Sequence, residues 1–145
     1  MRGALDALGA ERIAHGVRAI EDPALVAMIA ARGIALDVCP TSNLRLGVYG
    51  DLAGHPLPRL LAAGVAVTVG SDDPALFDTT LNDEVALLAD PFELDVAAID
   101  GVLLNAVRHS FLPSDARQRL EQEFRAGLDA LKPVHLLGRP PVVLT

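Results

Sequence analysis

Three short apolar runs that alternate with helical segments constrain the fold of this chain more than any other feature. The runs cover residues 12–15, 34–39 and 65–69, and each is followed directly by a glycine or a proline. Helical patterns begin between successive runs, at Asp22-Pro23 and at residues 55–58. This alternation of strand and helix is typical of a parallel sheet. Because residues 34–39 and 65–69 are almost continuously apolar, the sequence predicts strands that are buried on both faces.

The helices are delimited by their capping residues. Asp22 is predicted to cap the first long helix, and Gly33 ends it. Gly64 ends the helix that opens at residues 55–58, whereas residues 41–51 are predicted to form a loop. Further helices are predicted near residues 81–89, 96–107 and 114–131.

The two ends of the chain bear on its domain organisation. Residues 1–10 have the pattern of the end of a helix with no strand before it, so the chain is expected to enter the fold partway through a βα unit. Residues 133–145 are predicted to form a Pro-rich tail. The predicted domain therefore covers residues 1–132.

Composition excludes several classes of function. Half of the 145 residues are hydrophobic (51%), which is enough for one core. The net charge of −7 and the five aromatic residues argue against binding to nucleic acid or to a membrane surface. No apolar run is long enough to span a membrane, and no signal peptide is expected. The single Cys39 cannot form an internal disulfide, so a cytoplasmic location is expected.

Two candidate sites follow predicted strands. Ser71-Asp72-Asp73-Pro74 places two adjacent carboxylates at the carboxyl end of the third run, where a metal ion would offset their repulsion. The alternative is that an aspartate caps the helix that follows. His15 follows the first run and could act as a base, an electrostatic stabiliser or a metal ligand. Its alternative is a histidine that is hydrogen-bonded within a loop.

The second run leads into Cys39-Pro40-Thr41-Ser42-Asn43. Its three polar side chains would lie at the same edge of the sheet as the other two candidates and could touch a ligand. Cys39 is interpreted as a buried structural thiol rather than a nucleophile. The other three histidines are interpreted as structural or solvent-facing; they are His55, His109 and His135.

These segments, taken in order, resemble the adenosine deaminase family of metal-dependent amidohydrolases. The resemblance is carried by Arg12-Ile13-Ala14-His15-Gly16, Glu21-Asp22-Pro23-Ala24-Leu25, Val38-Cys39-Pro40-Thr41-Ser42-Asn43, Ser71-Asp72-Asp73-Pro74-Ala75-Leu76-Phe77, Asn105-Ala106-Val107-Arg108 and Ser110-Phe111-Leu112-Pro113. It runs from about residue 2 to about residue 131. Single motifs such as Ser-Asp-Asp-Pro are weak, whereas the ordered set is specific.

The resemblance implies a fold and a reaction. The family fold is a (β/α)₈ TIM barrel, of which this α/β chain would hold the last three parallel strands with their helices and a helical C-terminus. The reaction is hydrolytic deamination of a purine, adenosine or a related 6-aminopurine, by a zinc-bound water. Asp72 would be the carboxylate ligand of Zn²⁺ and a catalytic residue, His15 would stabilise the nucleophile, and Asp73 would bind the purine ring.

The chain departs from the family pattern in what it lacks. The family's His-x-His pair, its third histidine ligand and its proton-donating glutamate have no counterpart here, and the matching segments would lie before Met1. A barrel needs about 250 residues, so this chain is expected to be inactive alone and to require an N-terminal partner segment. Gly70 also stands where the family usually has asparagine.

Two alternatives stay open at this stage. In the first, the chain is a non-catalytic truncated barrel that persists as a homo-oligomer or binding module, because an open barrel exposes strand edges and apolar surface. In the second, it is an open flavodoxin-like domain, which suits the length but lacks a phosphate-binding loop. A stable dimer without any partner segment would favour the first alternative.

Overall fold

The computed structural model describes residues 1–135. Within this part of the chain, the strands are β1 (Arg12–Ala14), β2 (Ala35–Val38) and β3 (Ala66–Val69). The helices are α1 (Arg2–Ala7), α2 (Pro23–Ala31), α3 (Pro40–Arg45), α4 (Leu57–Ala62), α5 (Pro74–Phe77), α6 (Leu81–Ala89), α7 (Val96–Arg108) and α8 (Ser114–His135), with a 3-10 helix at Val17–Glu21. None of these helices is both long and apolar enough to cross a membrane.

The three strands form one parallel sheet in the order β1-β2-β3. Ile13 is in register with Leu36, and Leu36 is in register with Val67. The predicted strand–helix alternation is therefore confirmed, and each strand lies within one of the three runs. The predicted burial on both faces is wrong for β1, because Arg12 and Ile13 are half-buried and Ala14 is exposed. In a parallel sheet the carboxyl ends of all strands lie at the same end of the sheet, here called the carboxyl rim.

The core lies where the sheet meets its helices. Leu36 and Val67 project from adjacent strands and are completely buried. They belong to the same apolar cluster as Ile29 of α2 and Leu57 and Leu60 of α4. Burying each large aliphatic side chain stabilises the fold by about 1.5–3 kcal/mol, so this cluster holds the sheet and its crossover helices together.

Asp37 joins the three strands through polar contacts. Its carboxylate accepts a hydrogen bond from Thr68 Oγ1 of β3 at 2.6 Å and one from Arg12 Nε of β1 at 3.1 Å. Arg12 also donates from Nη1 to the carbonyl of His109 at 2.7 Å. This charged pair therefore connects all three strands to the end of α7.

Capping residues act largely as the sequence predicts. Asp22 accepts a hydrogen bond from the Leu25 amide at 3.1 Å, and Pro23 occupies the first position of α2. Gly33, which follows α2, has a φ of +63°, a conformation that glycine adopts without strain. The predicted boundaries of α2 are therefore confirmed.

Two boundaries differ from the prediction. The predicted loop over residues 41–51 begins with the short helix α3, because Pro40 both stops β2 and suits the first turn of a helix. Helix α8 continues past residue 131 and through Pro133 to His135. Residues 136–145 of the predicted tail lie outside the described residues, so the division into 1–132 and 133–145 stays a prediction.

Candidate active site at the carboxyl rim

The structure brings His15 and Asp72 together at the carboxyl rim. His15 directly follows β1, and Asp72 lies two residues beyond Gly70, at the end of β3. The Nε2 atom of His15 is 3.5 Å from Oδ2 of Asp72, and each side chain is about one-third exposed, at 33% and 35%. A titratable pair of this kind that remains open to solvent can face a ligand bound at the rim.

Ser42 connects the middle strand to the same carboxylate. Its hydroxyl donates a hydrogen bond to Oδ2 of Asp72 at 2.7 Å, and its side chain is completely buried. Short O–H···O⁻ bonds are charge-assisted and directional. The orientation of the Asp72 carboxylate is therefore set by residues that follow all three strands.

The backbone at both site residues is unusual. His15 and Asp72 each have a φ of +56°, in the left-handed region that non-glycine residues rarely adopt. Such conformations cost of order 1–3 kcal/mol and persist where the surrounding structure requires them. Here they turn both side chains out of their strands and toward the rim.

Gly16 provides a test of this turn, because its φ is +67° and an added Cβ would lie 2.7 Å from Cδ2 of Leu36. Gly16→Ala is expected to lower the free energy of unfolding by about 2–4 kcal/mol, through backbone strain and overpacking against the core. Urea denaturation measures this loss. Gly33→Ala is the matched control, because Gly33 has a similar φ of +63° and open space around its Cβ position. Equal losses in the two variants would contradict the account.

Asp73 takes part in the local structure of the rim. Its Oδ1 accepts a hydrogen bond from the Leu76 amide at 3.0 Å and thereby caps α5. The sequence offers helix capping as the alternative to a functional role, and Oδ1 of Asp73 is the atom that caps the helix. Within the described residues, Oδ2 of Asp73 has no hydrogen-bond partner. Its role in substrate binding stays a prediction.

Asn43 and His55 connect to His15. The sequence predicts Asn43 at the rim among side chains that could touch a ligand and His55 as structural or solvent-facing, but it does not predict that the two are linked. In the structure, Nδ2 of Asn43 lies 3.1 Å from Nδ1 of His15, and Oδ1 of Asn43 lies 3.1 Å from Nε2 of His55. Both Asn43 and His55 are buried, at 2% and 3% exposure. The position of Asn43 after the second strand is the only feature of the sequence that points to this connection.

Burial lowers the pKa of His55 from 6.5 to about 4. The unfolded chain therefore takes up this proton more readily, so the stabilisation is complete above about pH 6.5 and is lost as the pH falls toward 4. Between pH 7 and pH 5 we expect His55 to account for a loss of about 2 kcal/mol. Urea unfolding at both pH values measures it. The same loss in His55→Gln would contradict this assignment.

Glu84 of α6 connects two segments of the rim, and the sequence analysis does not predict this role. It is completely buried. Its Oε2 accepts a hydrogen bond from the Thr41 amide at 3.1 Å, and its Oε1 accepts one from the Thr79 hydroxyl at 2.8 Å. One side chain thereby joins the segment after β2 to the segment after β3.

Cys39 is a buried free thiol, as the sequence predicts. Burial, with the nearby negative charges of Asp72 and Glu84, raises its pKa to about 11. A thiol with so high a pKa is almost entirely protonated near neutrality and is a poor nucleophile. Cys39 is therefore assigned to packing beside Gly70 rather than to chemistry.

The described residues do not fit a complete zinc site. Catalytic zinc takes three protein ligands and keeps one position for water or substrate. Among residues 1–135, no group of three or more His, Cys, Asp or Glu side chains is placed to hold a metal ion. Asp72 offers one accessible carboxylate, and His15 stands beside it. These residues could form one edge of a zinc site whose other ligands come from elsewhere.

Comparison with known proteins identifies the class to which this parallel α/β sheet, with its histidine–aspartate pair at the carboxyl rim, belongs. The model of the adenosine deaminase family matches residues 1–126. This chain belongs to the adenosine deaminase family. It is 56% identical, over 107 residues, to the aminodeoxyfutalosine deaminase of Acidothermus cellulolyticus, a match that covers 71% of this chain and 30% of that protein.

Further relatives agree. The adenine deaminase of Cupriavidus taiwanensis is 47% identical over 138 residues, which are 95% of this chain and 37% of that protein. The crystal structure of adenine deaminase from Arthrobacter aurescens superposes with a TM-score of 0.83 at 38% identity and covers 88% of this chain and 39% of that one. A zinc-bound amidohydrolase from Burkholderia ambifaria has a TM-score of 0.84 at 24% identity, with 92% and 37% covered. The chain thus spans about a third of these proteins, and the predicted partial barrel is confirmed.

Proposed function

We propose that this chain contributes the carboxyl-terminal part of a barrel that hydrolytically deaminates a 6-aminopurine. The observation that carries the proposal is the His15–Asp72 pair, whose Nε2 and Oδ2 atoms lie 3.5 Å apart at the carboxyl rim. Membership of the adenosine deaminase family and similarity to named adenine and aminodeoxyfutalosine deaminases support the purine substrate.

Asp72 has the central role in this proposal. Its carboxylate is held by Ser42 and remains accessible on its outer side, so it can ligate a cation and orient a water molecule at the same time. When zinc is bound at such a site, it acts as a Lewis acid that lowers the pKa of water and stabilises developing charge. The other ligands and the proton donor would come from outside these 145 residues.

His15 and Asp73 act on either side of Asp72. His15 stabilises negative charge at the attacking oxygen, because its Nε2 faces the position beside Oδ2 of Asp72. Asp73 presents Oδ2, the oxygen that does not cap α5, to a donor on the purine ring. Both roles require a substrate bound outside the carboxyl ends of the strands, which is where barrel enzymes bind theirs.

A chimeric barrel tests the proposed function. Residues of this chain replace the aligned segment of the Arthrobacter adenine deaminase, which is 38% identical to it. The folded chimera is expected to release ammonia from at least one of three substrates: adenine, adenosine and aminodeoxyfutalosine. Circular dichroism and thermal unfolding establish folding first. A chimera that folds, binds zinc and deaminates none of the three would overturn the proposal.

One observation is shared by the proposed function and by a non-catalytic role as a homo-oligomer. Within the described residues, β1 pairs with a strand on one side only, so its other edge offers unpaired backbone groups. A second copy of the chain, or the missing barrel segment, could cover this edge. Sedimentation of the chain alone and with the barrel segment separates these cases, because a homodimer that excludes the segment supports the non-catalytic role.

The free, buried Cys39 is compatible with the cytoplasmic location we propose.

A further inference from the structure

We infer that His55 is a positioning residue that acts through Asn43 to hold His15 in the tautomer whose Nε2–H faces Asp72. The contacts form one continuous chain from the Leu57 amide to the Asp72 carboxylate. The catalytic part of this inference rests on the proposed function. The tautomer itself does not, because the geometry within this chain determines it.

The order of donors and acceptors follows from one group that can only donate. The Leu57 amide donates to Nδ1 of His55 at 3.3 Å, so this nitrogen carries no proton. The proton of the neutral His55 ring therefore sits on Nε2 and is donated to Oδ1 of Asn43 at 3.1 Å. The backbone amide of Leu57, two residues further along the chain, thus selects the tautomer of the buried His55.

The same logic continues through Asn43. With Oδ1 occupied by His55, the amide group of Asn43 turns Nδ2 toward Nδ1 of His15, at 3.1 Å. Because Nδ2 only donates, Nδ1 of His15 accepts, and the neutral His15 ring carries its proton on Nε2. That proton points toward Oδ2 of Asp72, 3.5 Å away. The opposite tautomer would place a lone pair against the carboxylate.

Burial and packing hold this chain of contacts in place. His55 lies between two aromatic rings, with centroids 5.3 Å from Tyr49 and 5.4 Å from Phe92. The lowered pKa of His55, about 4, keeps the ring neutral, which acceptance at Nδ1 requires. Asn43 is 2% exposed, so a flipped amide would leave buried polar atoms unpaired, at a cost of about 1–3 kcal/mol.

Nitrogen NMR of the 145-residue chain tests the tautomers directly. With ¹⁵N-labelled histidine, two-bond proton–nitrogen correlations are expected to show pyrrole-type Nε2 and pyridine-type Nδ1 for both His15 and His55. His15→Asn and His55→Gln each remove one set of resonances and so assign them. A pyrrole-type Nδ1 on His15 in the unsubstituted chain would overturn the inference.

Substitutions test the dependence on His55. His55→Phe keeps a ring between Tyr49 and Phe92 but removes the donor, so His15 is expected to lose its single tautomer. His55→Gln places an amide donor near the original Nε2 and is expected to retain it. Asn43→Asp accepts on both sides and is expected to move the His15 proton to Nδ1. An unchanged His15 spectrum in folded His55→Phe would overturn the positioning role.

Kinetics in the chimeric barrel separate this inference from the proposed function. His55→Phe is expected to lower kcat about tenfold or more with KM within about twofold, because the reacting groups are misaligned rather than lost. His55→Gln is expected to recover most of kcat. If the chimera is inactive while the tautomers are as expected, the proposed function fails and the positioning geometry stands. If the chimera is active and His55→Phe leaves kcat unchanged, the positioning role fails.

Discussion

Asp72→Ala is expected to lower kcat of the completed barrel by about 10²–10⁴-fold, the range found when a group that acts on the transition state is removed. Asp72 is the carboxylate that Ser42 orients and that His15 faces, and in the proposed function its loss would affect both the cation and the attacking water. Steady-state kinetics at saturating purine measure the effect. Zinc content, measured by atomic emission, is expected to fall in the same variant.

A substitution of Asp73 is the control for Asp72→Ala. Asp73→Ser removes the carboxylate but keeps an oxygen that can cap α5, so folding is preserved. Its effect is expected mainly in KM, since one binding contact of equal strength in the ground and transition states leaves kcat unchanged. Equal losses in the Asp72 and Asp73 variants, confined to KM, would contradict the division of roles.

Glu84→Ala is expected to lower the free energy of unfolding by about 3 kcal/mol or more. The substitution leaves the half-buried Thr41 amide and the buried Thr79 hydroxyl without their acceptor and opens a cavity at a completely buried position. Urea denaturation of the 145-residue chain measures the loss. Because Glu84 joins the segments after β2 and β3, the same variant is also expected to weaken the His15–Asp72 arrangement.

Glu84→Gln is the matched control. Its carbonyl can accept from the Thr41 amide while its NH₂ group donates to the Thr79 hydroxyl, which is able to accept. The loss of stability is therefore expected to be about 1 kcal/mol or less. A loss in Glu84→Gln as large as that in Glu84→Ala would show that the negative charge, rather than the two hydrogen bonds, is what the fold requires.

The strands and helices could be predicted because their signals are local. Residues 65–69 are apolar and end at a glycine, and Asp22-Pro23 carries both a cap and a preferred first helical residue. Pro40 was correctly identified as a strand stop, but its second effect, the start of α3, depends on carbonyls and amides that only the folded turn brings together. The ends of such short helices are therefore harder to predict from the sequence than the existence of the strands and the longer helices.

The site also contains residues that the sequence predicts and residues that it does not. His15 and Asp72 could be proposed because each directly follows a strand, and parallel strands end at one rim. His55 reaches the site through Asn43, 12 residues away, and Glu84 reaches Thr41 across 43 residues. Neither separation has a periodicity that a sequence pattern can reveal, so these supporting residues emerged only from the folded arrangement.

Complementation between two separate polypeptides tests the central claim most directly. Ammonia release from adenine, a 6-aminopurine, is measured for this chain alone, for the remaining barrel segment of the Arthrobacter adenine deaminase alone, and for the two mixed with zinc. Only the associated mixture is expected to turn over, and Asp72→Ala in this chain is expected to abolish its activity. Turnover of about one per second by the 145-residue chain alone, or an associated mixture that is inactive, would contradict the claim that this chain supplies one edge of the site.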